Sequence, residues 1–113
     1  MAVVSLFAFL FAAVVGGFMA YLHFTGGKSP LAASVVHGFF VAAGFIFLIV
    51  GLVKGDASAF GWWIVAAFVV VALGGAYLLS RHLRQEPWPG AVILAHGGAA
   101  VLALALLAYG LLG

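Results

Sequence analysis

Three short polar breaks interrupt an otherwise apolar chain: Thr25-Gly-Gly-Lys-Ser29, Lys54-Gly-Asp-Ala-Ser58, and Arg81 to Trp88. Between them stand apolar stretches at about 2–24, 30–53, 60–83 and 89–112. Each is long enough to cross ~30 Å of hydrocarbon at ~1.5 Å per helical residue. Barrel strands need only ~10 alternating residues, which this spacing does not offer. A segment in lipid must satisfy its own backbone hydrogen bonds, so the stretches read as helices. The sequence predicts an all-α integral membrane protein: a four-helix up-down bundle forming one transmembrane domain over 1–113.

Composition agrees. Of 113 residues, 68% are apolar, 5% are charged and none is cysteine. Soluble domains carry roughly a quarter charged residues, so a water-soluble enzyme is excluded. So are a disordered chain and a disulfide scaffold. A net charge of +2 is too small and too dispersed for nucleic acid. The expected surroundings are a lipid bilayer. The first stretch lacks a basic leader and is too long for a signal peptide's apolar region, so it counts as part of the fold. Lys28, Arg81 and Arg84 place the first and third breaks in the cytoplasm of a bacterial-type inner membrane, with both termini outside. Trp62 and Trp63 are then expected in the outer aromatic belt and Trp88 in the inner one.

A shift of 59 residues aligns the two halves without a gap. Ala8, Phe9, Ala13 and Gly16 fall on Ala67, Phe68, Ala72 and Gly75. Leu48, Gly51 and Leu52 fall on Leu107, Gly110 and Leu111. The unit His-x6-Pro-x6-His-Gly occurs twice and uses all four histidines: His23, Pro30, His37, then His82, Pro89, His96. This predicts two tandem helical-hairpin repeats, about 1–54 and 60–113, related by a pseudo-twofold axis along the membrane normal. Pro30 and Pro89 open the second helix of each repeat, and Ser29 is the expected cap.

Histidine within a span is rare, and normally faces the bundle interior with a partner. His37 and His96 are expected to face each other across the axis. His23 and His82 lie about two turns nearer the cytoplasm. Small residues follow the same faces. Along Ala8, Ala12, Gly16 and Ala20 they predict helix packing. Beside the histidines they equally suit room for a flat cofactor. The favoured cofactor is haem b, with His37 and His96 as axial ligands and a backbone carbonyl holding each second ring nitrogen. Its propionates point to the cytoplasmic side, toward Arg81, Arg84 and Lys28, with His23 and His82 as further donors or ligands of a second centre. Zinc or copper on three or four imidazoles is the rival. It lacks a nearby carboxylate or thiolate, and the two histidine layers stand apart. A proton relay through the histidines is a third possibility, but no acidic residue stands inside a span to partner it. No cofactor, with histidines bridging helices, is a further reading.

Small multidrug-resistance transporters share the length and four helices. Their embedded glutamate has no counterpart here, since Asp56 and Glu86 both fall in breaks. Through its paired His37 and His96 in four helices, the chain resembles small bis-histidine b-type membrane cytochromes. That resemblance implies one-electron transfer rather than catalysis. His23 and His37 have the spacing at which many cytochromes b carry two ligands on one helix, but the intervening turn separates them here. The alternative role is an accessory subunit of a larger membrane complex, or a homo-oligomer, with histidines binding metal or packing helices.

Overall fold

A computed structural model describes residues 1–55 and 61–112. Its elements are four α-helices: α1 (Ala2–Phe24), α2 (Leu31–Val53), α3 (Trp62–Leu83) and α4 (Gly90–Leu112). Each is long and apolar enough to cross a membrane, which makes this a four-span bundle by length and hydropathy. Asp56 and Ser58 of the second break, and position 60 where the second repeat was expected to begin, lie outside the described residues.

The helix starts depart from expectation by about one residue. Pro30 itself occupies the N-cap of α2, in extended conformation with φ −68° and ψ 146°. Ser29 caps nothing: its hydroxyl is buried without a hydrogen-bond partner. Likewise α4 starts at Gly90, directly after Pro89. The proline ring fixes φ, and its missing N–H suits the residue just before the helix as well as the first residue within it.

The ends of α1 and α3 close by the same turn. After α1, Gly26 adopts φ +83° and the Gly27 N–H donates to Leu22 O at 2.7 Å. After α3, Gln85 adopts φ +55° and the Glu86 N–H donates to Arg81 O at 2.9 Å. Both satisfy an orphan carbonyl by a left-handed residue just past the helix. Glycine does this without steric penalty, whereas Gln85 carries ~1–2 kcal/mol of strain. Arg81 and Arg84 hold that second turn through the following residue, Glu86.

Around the bundle each helix touches its sequence neighbours, and α4 returns to α1. The α1–α2 seam is the most extensive and α2–α3 the least. This is an up-down arrangement, with α1 opposite α3 and α2 opposite α4. Between apolar helices in lipid, packing rather than hydrophobicity drives association. The centre is Phe9 lying flat on Phe68 across the α1–α3 diagonal, centroids 3.9 Å apart and planes 3° apart. Leu48, Ile64, Ala103 and Leu107 complete this core. Phe7, Phe11 and Phe39 are exposed on the outer surface, where lipid would cover them.

Gly44 lets α2 approach this core. A Cβ there would stand 2.7 Å from Cε1 of Phe9, inside van der Waals contact. Gly44→Ala is therefore expected to destabilise the bundle by about 1–3 kcal/mol, as overpacking does, measured by denaturant unfolding in detergent.

Candidate functional site

His37 and His96 each turn a ring toward a backbone carbonyl of the preceding helix. His37 Nδ1–H donates to Ala12 O at 2.7 Å, and His96 Nδ1–H donates to Val71 O at 2.9 Å. A carbonyl only accepts, so each Nδ1 carries the proton and Nε2 presents a lone pair when the ring is neutral. The two acceptors are themselves 59 positions apart in sequence, like the two histidines.

Gly16 and Gly75 explain why those carbonyls are reachable. Each lies four residues after the acceptor, so its N–H is the helical donor to that carbonyl, and any side chain there would rise beside it. A Cβ on Gly16 would sit 3.0 Å from His37 Cε1, and one on Gly75 3.1 Å from His96 Cε1. Each imidazole thus rests on a glycine and fastens to the carbonyl one turn earlier.

The two rings come together across the α2–α4 diagonal, with centroids 6.3 Å apart and planes 75° apart. They line a cavity of about 470 Å³ whose walls include Ala12, Gly16, Ala72, Gly75, Gly97 and Ala100. Phe9 and Phe68 are at its end toward the termini, and Trp88 is at the end toward the third break. Gly38 and Gly97, which also line it, have nothing within 4 Å of a built Cβ. Small residues along the histidine faces thus border open space. Of the α1 stripe, Ala8 is buried away from this space, whereas Ala12, Gly16 and Ala20 line it.

Beyond Trp88 lies a second, more open cavity of about 680 Å³, lined by His23, Lys28, Ser29, His82, Gln85 and Glu86 among others. Trp88 belongs to both linings. It stacks on His23 at 5.9 Å and meets His82 edge-on at 5.2 Å. Instead of lying on the outer surface as a belt residue, it is half-buried in the bundle mouth. His82 Nδ1 shares a 2.8 Å hydrogen bond with Ser34 Oγ, joining α3 to α2.

Arg81 and Arg84 are committed elsewhere. Arg84 Nε lies 2.9 Å from Glu86 Oε1, and Arg81 Nη1 lies 3.5 Å from Glu86 Oε2. Arg81 Nε also donates to Pro87 O at 2.7 Å. Neither arginine lines the second cavity, whereas Lys28 does. Nothing in the sequence advertises this pairing, because it depends on the left-handed turn at Gln85. Tyr77 accepts from Arg81 at 3.4 Å, and Tyr21 and Tyr109 are exposed.

Among the described residues no three His, Cys, Asp or Glu side chains gather closely enough to hold a metal ion. What the deep layer offers is a pair of imidazole nitrogens facing an apolar space. No protein-family model, curated protein or solved structure matches the chain.

Proposed function

We propose that this chain holds a b-type haem between His37 and His96 and carries single electrons within a bacterial-type inner membrane. The spacing of the two rings carries this reading. A metal ion held by both imidazoles would need their ring centroids about 6 Å apart. The observed separation is 6.3 Å. The donor set also fits: two imidazoles, each with Nδ1 fixed by a carbonyl, match the usual support of a metal-bound histidine. A cavity of about 470 Å³ is of ligand size, and its lining is apolar apart from Ser34, Trp88 and the two histidines. Structural zinc seeks four ligands and finds only two here.

A bound haem iron would supply reversible one-electron chemistry at this position. The protein's own part is to orient both imidazoles through Ala12 O and Val71 O, and to close the far end of the cavity with the Phe9–Phe68 stack. Such a carrier needs no nucleophile or general base.

The same reading takes the halves as tandem repeats. Supporting it, pairs 59 residues apart occupy like positions: Phe9 with Phe68 in the stack, Leu48 with Leu107 fully buried, and Gly26 with Gln85 in the left-handed turns. The proposed orientation keeps Lys28, Arg81 and Arg84 inside and both termini outside, on the charge bias alone.

The test is spectroscopic. Protein purified in mild detergent from haem-replete cells is expected to show oxidised and reduced spectra of a low-spin, bis-imidazole haem. A colourless preparation rejects the proposal.

A further inference from the structure

We propose that the two cavities form one slot for a tetrapyrrole whose carboxylates lie along a single edge, and that the slot rejects rings bearing carboxylates all round. This rests on the haem reading for where the ring lies, and adds a rule for which ring is accepted. The polarity of the slot is one-ended. Its inner end is lined by Lys28, His23, His82 and Ser29, and its outer end by Phe9 and Phe68. Trp88 borders both cavities, so the apolar and polar parts adjoin.

The inner end carries donors without acceptors. Among the described residues, no hydrogen bond or ion pair reaches the His23 ring, the Lys28 ammonium or the Trp88 indole, and Ser29 Oγ is buried without a partner. His82 uses Nδ1 on Ser34 and keeps its other nitrogen. The one carboxylate in that wall, Glu86, already holds Arg81 and Arg84. The cluster therefore suits incoming carboxylates, with Lys28 as the uncommitted charge. At the other end a carboxylate would meet stacked phenyl rings and no donor, where an unpaired charge is strongly disfavoured.

The experiment titrates the full chain in detergent, prepared without haem, with three iron-free rings: protoporphyrin IX, its dimethyl ester, and coproporphyrin III. Tryptophan quenching reports binding. Protoporphyrin IX has both carboxylates on one edge, its ester has none ionised, and coproporphyrin III has four around the ring. The free acid is expected to bind at least about tenfold more tightly than either of the others. The triple variant Lys28→Ala, His23→Ala, His82→Ala should lose most of the acid-over-ester preference, while Lys54→Ala, at the opposite end of α2, keeps it. Comparing variants cancels partition into micelles, which is the same for each.

Equal binding of acid and ester, equal binding of coproporphyrin III, or an unchanged preference in the triple variant overturns the edge rule. If the preference holds but haem yields no bis-imidazole spectrum, the rule stands and the electron-carrier reading falls. If haem yields that spectrum while acid and ester bind alike, the reverse is true. Binding of no ring at all defeats both.

Discussion

His37→Ala and His96→Ala are each expected to abolish the low-spin haem spectrum, whereas His23→Ala leaves it recognisable. The two rings stand in equivalent support, each with Nδ1 on a carbonyl and a glycine beneath, so neither is a spare. Removing an outer-shell partner of a ligating histidine typically lowers affinity by about 10–100-fold, and removing the ligand itself should exceed that. His23 stacks on Trp88 in the other cavity and does not line the deep one. Haem-to-protein ratios and reduced spectra of the three variants provide the check. Unchanged spectra in both deep variants would remove the haem assignment altogether.

Gly16→Leu and Gly75→Leu are expected to damage the same spectrum without touching either histidine. Each glycine supports an imidazole at 3.0–3.1 Å from a built Cβ and leaves the carbonyl one turn earlier open to Nδ1. A larger side chain pushes the ring off, breaks the Nδ1 bond and overpacks the wall, destabilising the bundle by about 1–3 kcal/mol. Haem retention should fall by about tenfold or more, the scale of losing an orienting partner. Gly98→Leu is the matched control, since a Cβ there meets nothing within 4 Å although it lies only two residues from His96. Loss of haem in Gly98→Leu equal to that in Gly16→Leu would show that bulk alone, not the ring's seat, is responsible.

The helices were legible because apolar run length decides a membrane span almost alone, and the observed α1 matches the expected 2–24 at both ends. Starts of α2 and α4 moved because both Pro30 and Ser29 are acceptable at a helix entrance, and their order alone does not say which takes the cap. The facing of His37 and His96 followed from their equivalent places in two helices of like direction. Their carbonyl partners could be anticipated in kind but not in identity, because Ala12 and Val71 carry no polar side chain to mark them. In the sequence Gly16 belongs to the Ala8, Ala12, Gly16, Ala20 packing stripe and pairs with Gly75 under the 59-residue shift, yet these two glycines seat His37 and His96. Arg81 and Arg84 suggested carboxylate partners, and the carboxylate they meet is Glu86, brought back by a turn that glutamine rarely adopts.

The Phe9–Phe68 stack makes the bundle a cup rather than a tube. Between that stack and the termini, the centre is occupied by side chains such as Leu48, Ile64 and Leu107, all fully buried. Water entering past Trp88 would meet the phenyl rings. A half filled in this way would leave ions no wet route onward and would keep the membrane's electrical insulation. On the proposed reading, an electron held at the histidine layer would come and go through the open mouth or by tunnelling sideways.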